Sequence, residues 1–131
     1  MVKLLYFFKL IRWKNLVIIA LTQYLIRYTL LIPFIEFLSL NDIQFLYLVV
    51  STILVAAAGY IINDYFDIQV DYLNHRKVIV GNTIKRREAM ALHFIFSGFG
   101  VGIGFYLGLK VGMWHLGFIN LFSASALWFY S

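Results

Sequence analysis

Four stretches of about 20 mostly apolar residues set the strongest limit on how this chain folds, because each is long enough to cross a bilayer as a helix. They run from about Asn15 to Leu38, from about Ile43 through the Ala56-Ala57-Ala58-Gly59 patch to Ile62, from about Glu88 to Leu109, and from about Gly112 to Tyr130. The second is expected to continue as helix to Asp71. Composition agrees: 63% of the 131 residues are hydrophobic and 13% are charged. A soluble domain of this length carries about 45–50% apolar and about 25% charged residues, and so small a soluble core cannot bury the excess. Lipid is the natural solvent for it. The expected fold is all-α, a polytopic transmembrane helical bundle with helices at about 15–38, 43–71, 88–109 and 112–130 in one domain, 1–131.

Charge position gives orientation. The net charge of +5 suggests nucleic acid at first sight, but the basic residues follow the spans. Lys3, Lys9, Arg12 and Lys14 precede the first span, and Arg76, Lys77, Lys85, Arg86 and Arg87 fall between the second and third. The segment between the first two spans holds no Lys or Arg, and that between the last two holds only Lys110. The positive-inside rule makes the basic side cytoplasmic. The chain is therefore expected in the cytoplasmic (inner) membrane, with its N-terminus on the cytoplasmic side, no nucleic-acid partner, and membrane lipids around it. The basic residues of 1–14 interrupt an apolar run, so a cleaved signal is not expected. That segment reads as an interfacial helix or as flanking charge. The absence of Cys excludes disulfides and thiolate metal sites.

Several residues within the spans are unusual. Gly98/Gly102, Gly100/Gly104 and Gly104/Gly108 each have small-xxx-small spacing, which lets helices approach closely. A phosphate loop is the poorer reading, since no Gly-Lys-Ser/Thr follows. Arg27 sits mid-span, where a charge is costly and turns to a polar interior or a partner. It either helps hold an anionic substrate or forms an ion pair. His93 and His115 have no second ligand at metal-binding spacing and read as interfacial or hydrogen-bonded residues.

The chemistry lies in Asn63-Asp64-Tyr65-Phe66-Asp67-Ile68-Gln69-Val70-Asp71, where the second span meets the cytoplasmic surface. On a continuous helix Asp64, Asp67 and Asp71 project at 0°, about −60° and about −20°, with Asn63 and Asn74 at about −100° and −80°. Three carboxylates and two amides then share one face. Like charges three and four residues apart repel, and carboxylates near a helix C-terminus oppose its dipole. A cation relieves both. The all-oxygen donor set suits magnesium, which is commonly shared between one or two carboxylates and substrate phosphates. The bland alternative is a solvated acidic patch balanced by the nearby cations. A calcium EF-hand requires a different Asp spacing and a Gly. The basic loop could meet the far side of a magnesium-bound diphosphate, or serve topology alone.

At these residues the chain resembles the UbiA superfamily of intramembrane prenyltransferases. Asn63, Asp64, Asp67 and Asp71 match every fixed position of that family's first motif, Asn-Asp-x-x-Asp-x-x-x-Asp, at the end of the second span where the family places it. Arg12-Trp13-Lys14-Asn15 resembles the family's Arg-Pro-x-Asn, with Trp13 at the usual Pro, and Ala126-Leu127-Trp128-Phe129-Tyr130-Ser131 resembles the end of its fourth helix. The Asp-x-x-x-Asp ending and Asn74 look most like digeranylgeranylglyceryl phosphate synthases, although His75 to Gly81 departs from their pattern.

The resemblance implies a fold of about nine spans with a second Asp-rich motif. This chain has no Asp beyond Asp71, so it reads as the N-terminal part of such a protein, a truncated fragment with a possible missing C-terminal half. The implied activity is Mg2+-dependent transfer of an isoprenyl group from an isoprenyl diphosphate donor to a lipophilic acceptor, such as a glyceryl phosphate lipid or an aromatic quinone precursor. By position, Asn63, Asp64, Asp67 and Asp71 would bind the metal, with the three Asp as catalytic residues. Asn15, Asn63, Asn74, Arg76 and Lys77 would contact substrate. The alternative is a non-catalytic four-helix membrane protein: a degenerate remnant, a subunit or a small transporter. A CDP-alcohol phosphotransferase is more distant, because its longer Asp-x-x-Asp-Gly pattern is absent.

Overall fold

Helices account for nearly all of the described chain, and one of them organises the rest. The computed structural model describes residues 2–34, 40–75 and 78–131. Helix α1 (Val2–Leu10) turns at Arg12 into α2 (Trp13–Ile26), which runs on through a π-helical segment (Arg27–Leu31) into the short α3 (Ile32–Phe34). Then come α4 (Asp42–Phe66), α5 (Ile68–Leu73), α6 (Arg86–Val111) and α7 (His115–Tyr130). The all-α class expected from the sequence is what the chain adopts, with a single isolated bridge, Val80 to Ile84, in the turn before α6.

Among the described residues three segments are long and apolar enough to cross a membrane: Trp13–Phe34, Asp42–Phe66 and Arg86–Val111, with mean hydropathies of 1.6, 2.3 and 1.6. The fourth expected span is shorter. Gly112 adopts a left-handed conformation (φ 71°) that ends α6, and α7 starts only at His115. Its 16 residues reach about 24 Å at 1.5 Å per residue, less than a hydrocarbon layer of about 30 Å. The start of α4 matches a sequence signal: Asn41 and Gln44 form a reciprocal capping box. Pro33 explains the widened turn ahead of it. A proline ring crowds the carbonyl four residues back, here Thr29, inside the π segment.

Helix α4 lies at the centre, packed against α6 and α7. The glycines of α6 divide by face. A Cβ on Gly100 would lie 2.7 Å from Val55 Cγ2 and 3.1 Å from the Ser51 carbonyl, and one on Gly104 would collide with Asn120. A Cβ on Gly108 would lie 2.7 Å from the Met113 carbonyl. Gly100 therefore lets α6 approach the α4 backbone, Gly104 makes room for the Asn120 side chain of α7, and Gly108 for the turn that follows α6. Gly98 and Gly102, expected to do the same, face open space. At the α4–α6–α7 junction the buried Ser51 hydroxyl donates to the Gly100 carbonyl (2.6 Å), and Asn120 donates to Ser51 and to the same carbonyl. Buried His93 donates from Nδ1 to the Ala58 carbonyl (3.0 Å), since a carbonyl can only accept. His93 is thus the hydrogen-bonded residue expected, while His115 opens α7 at the surface.

Arg27 resolves into an ion pair. Its side chain is buried, its Nη2 donates to Asp42 (3.2 Å) and to the Leu40 carbonyl (2.9 Å), and its guanidinium lies 4.6 Å from the Phe45 ring centre. Asp42 opens α4 at the end opposite the Asp-rich segment, so Arg27 is remote from that segment.

Candidate functional site

The Asp-rich segment begins on the last turn of α4 and crosses a break in the helix. Asp67 (φ −93°, ψ 13°) leaves helical geometry, ending α4 and starting α5. Two backbone bonds still span the break: Asp67 N–H donates to the Asn63 carbonyl (3.0 Å) and Asp71 N–H to the Asp67 carbonyl (2.8 Å). The continuous face expected from the sequence is therefore bent at its middle carboxylate. Among the described residues no three carboxylate or imidazole groups converge to hold a metal ion.

Each of the first two carboxylates has a protein partner. Asn63 Nδ2 donates to Asp67 Oδ2 (2.9 Å), one helical turn apart. Arg12 Nη2 donates to Asp64 Oδ1 (3.1 Å) across 52 residues of sequence. The Arg12 guanidinium also lies 4.8 Å from the centre of the Tyr60 ring, and the Tyr60 hydroxyl accepts from Asn15 Nδ2 (3.4 Å). Arg12 and Asn15 thus reach the Asp face from the start of α2. Asp71 follows one turn later, and Asn74 caps α5. Arg76 and Lys77, expected to contact substrate, lie outside the described residues.

Arg12 is the residue that sequence reasoning underrated. Its basic charge counted toward topology, and it headed the Arg-Trp-Lys-Asn stretch. Its backbone is left-handed (φ 52°, ψ 56°), which costs a non-glycine residue about 1–2 kcal/mol. That corner turns α1 away from α2 and buries Leu10 and Ile11 in a cluster with Val80, Ile84 and Ala89. Burial of the corner holds the unfavourable dihedrals, and the arginine is left pointing at Asp64.

Beside this group lies a cavity of about 340 Å³ lined by Arg12, Tyr60 and Asn63 and by apolar Ala56, Gly59 and Leu127. Positions 56, 59, 60 and 63 fall on one face of α4 by their three- and four-residue spacing, and Asn63 at its end bonds Asp67. The cavity is therefore polar near the Asp-rich end and apolar toward the middle of the span. Its far wall comes from the end of α7, where Trp128 packs on Phe66 (5.6 Å between ring centres) and on His93 (5.3 Å).

A span-borne acidic segment beside a cavity of this polarity narrows the choice of relatives, and the comparison with protein families decides it. The model of the UbiA prenyltransferase family matches residues 16–131. The chain belongs to the UbiA prenyltransferase family. Neither the curated proteins nor the solved structures give a match to it. Membership, with three helices able to cross a bilayer, makes the chain an integral membrane protein of a prenyl-transferring family. The match covers the Asp-rich segment, α4, α6 and α7, and starts just after Asn15.

Proposed function

We propose that this UbiA-family chain binds an isoprenyl diphosphate at the Asn63–Asp71 segment and takes part in moving its isoprenyl group to a lipophilic acceptor. The observation that carries the reading is the order of polarity along one face of α4, from apolar Ala56 and Gly59 through Tyr60 to Asn63, whose amide bonds Asp67 of the Asp-rich segment. A ligand with a diphosphate head and a hydrocarbon tail matches that order of polarity.

The donor set of Asn63, Asp64, Asp67 and Asp71 is chemically suited to magnesium. The bent segment presents its carboxylates from the end of α4, the break and the short α5 rather than as a closed cage. That fits an ion that keeps waters and takes only one or two carboxylates, with phosphate oxygens completing its shell. Bound there, Mg2+ would neutralise charge on the departing diphosphate. The protein's own contributions are separable. Arg12 offers a guanidinium beside Asp64 for phosphate oxygens, the strong form of anion recognition. Asn15 fixes the Tyr60 hydroxyl, and the Tyr60 ring fixes Arg12. Asn63 orients Asp67. The apolar wall of Ala56, Gly59 and Leu127 keeps water from the hydrocarbon end. Asn74, Arg76 and Lys77 are proposed as further substrate contacts at the cytoplasmic rim, and a glyceryl phosphate lipid or an aromatic quinone precursor as the acceptor.

The test is binding of a fluorescent isoprenyl diphosphate to the full chain in nanodiscs. Binding should require Mg2+, disappear with a chelator, and be lost in Asp67→Ala. Binding that ignores both the chelator and the substitution would instead favour a non-catalytic membrane protein.

A further inference from the structure

The turn between α5 and α6 builds a second concavity, distinct from the cavity beside Tyr60. Its volume is about 540 Å³, and its walls include Ile68, Gln69 and Tyr72 of α5, Val80 and Asn82 of the turn, and Arg86 at the start of α6. That size is ordinary for a small-molecule site. Its wall is fixed by the turn: Gly81 N–H donates to the Ile84 carbonyl (2.7 Å), and Ile84 N–H to the Ile79 carbonyl (3.1 Å). Gly81 adopts φ +93°, which a side chain rarely tolerates. Buried Val80 and Ile84 anchor the turn in the same cluster as Leu10 and Ala89.

The chemistry of the groove selects an occupant. No carboxylate lines it, although Asp67 caps the same short helix and Asp71 lies on it. Arg86 stacks on Tyr65 (4.9 Å to the ring centre), and among the described residues no carboxylate pairs with it. The nearest acid along α6, Glu88, is held by Lys3 at 2.8 Å. Lys85 and Arg87 flank Arg86, and the first turn of a 26-residue helix adds partial positive charge. The groove thus has an unneutralised cation and two carboxamides at one side and an apolar floor at the other. Tyr72 and Leu73 line the groove and are each 74% exposed. They end the short helix that follows membrane-spanning α4, near the level where amphipathic rings settle among lipid headgroups.

We propose that this groove binds an anionic phospholipid of the surrounding bilayer, with its phosphate at Arg86 and Asn82 and one acyl chain along Ile68, Tyr72 and Val80. Charge complementarity chooses an anionic headgroup over a zwitterionic one, and the apolar floor chooses a lipid over a free anion. The groove takes Ile68 and Gln69 from the Asp-rich segment but none of its carboxylates, and the proposal holds whether or not the chain transfers prenyl groups.

Native mass spectrometry of the full chain, released from micelles containing phosphatidylglycerol and phosphatidylcholine, tests it. The chain should retain phosphatidylglycerol with about five- to tenfold preference, the size expected of one favourable charge near a membrane surface. Arg86→Gln should abolish the preference while phosphatidylcholine adducts persist. Lys85→Gln, outside the groove lining, should keep it, and so should Asp67→Ala. Ile68→Trp, which fills the floor, should lower phosphatidylglycerol binding with helicity by circular dichroism unchanged. The proposal is overturned if Arg86→Gln retains the preference, if Lys85→Gln lowers it equally, or if millimolar inorganic phosphate displaces the lipid.

Discussion

Alanine at Gly98 and at Gly100 makes the same chemical change two residues apart on one helix, with opposite expected effects. In α6 each substitution gains the same intrinsic helix propensity, about 1 kcal/mol, so that contribution cancels between the two variants. What remains is packing. Around Gly98 an added Cβ meets nothing within 4 Å. At Gly100 it would stand 2.7 Å from Val55 Cγ2, 3.1 Å from the Ser51 carbonyl oxygen and 3.2 Å from Val55 N. Two of those three atoms are backbone, so a rotamer change cannot relieve the contact and α4 must move away from α6. That movement also stretches the Ser51 hydroxyl bond to the Gly100 carbonyl. Overpacking of this kind costs about 1–3 kcal/mol. Gly98→Ala should therefore be neutral or stabilising, and Gly100→Ala should be less stable than Gly98→Ala by about 1–3 kcal/mol. Reversible unfolding of the full chain by SDS in mixed micelles, followed by circular dichroism, measures both. Variants that agree within about 0.5 kcal/mol, the usual scatter of additive effects, would refute the assignment of α6 faces.

Other substitutions separate roles within the site. Arg12→Gln removes the cation that competes with a metal for Asp64. Calorimetry should show tighter Mg2+ binding without donor and weaker binding of isoprenyl diphosphate, with less than about 1 kcal/mol lost in stability because the pair is partly exposed. Unchanged affinities for both ligands would remove Arg12 from the site. Gly59→Leu places a side chain in the cavity against Leu127, whose Cδ1 would be 2.7 Å from the new Cβ. Affinity for the isoprenyl donor should fall while affinity for inorganic diphosphate with Mg2+ stays the same, and an equal fall in both would place the tail elsewhere. Arg27→Leu loses a charge-assisted hydrogen bond and the carbonyl contact at Leu40. A loss of about 1.5–3 kcal/mol is expected in the SDS assay, moderated because the Asp42 side chain is 80% exposed and regains water.

Much of this architecture is written in local patterns that a reader of the sequence can follow. The spans are legible because apolar length is a property of consecutive residues. The Asp-rich segment is legible because carboxylates at that spacing oppose one another and call for a cation. What escapes is set by tertiary geometry. The bend at Asp67 carries no Gly or Pro to mark it. The shortening of α7 follows from a left-handed Gly112 followed by a turn at Met113 and Trp114, where hydropathy alone continues the span. The division of glycines between packed and open faces depends on which side of α6 meets α4, and small-xxx-small spacing is identical on both. Arg12 depends on a backbone corner that only the burial of Leu10 and Ile11 stabilises. Asn120, which joins three helices, sits in an apolar run with no spacing signal at all.

The two arginines of α2 and its approach explain how that helix serves the site. Only 11% of its span window is buried, against 50% for α4, so packing alone holds it weakly, and in lipid there is no hydrophobic drive to press helices together. Polar ties take that part. Arg27 reaches Asp42 at the start of α4, Gln23 donates to Thr52 (3.0 Å) near the middle, and Arg12 reaches Asp64 near the end. Three such ties fasten the helix along its length, the last of them beside the Asn15–Tyr60 hydrogen bond. Arg27 therefore acts on the Asp face without touching it: by fixing the far end of α2 against α4, it fixes the register at which Asn15 meets Tyr60 and Arg12 meets Asp64. A slip of α2 by one turn, about 5.4 Å, would break all three ties together. The ion pair at one end of the span and the acidic segment at the other are thus parts of a single alignment.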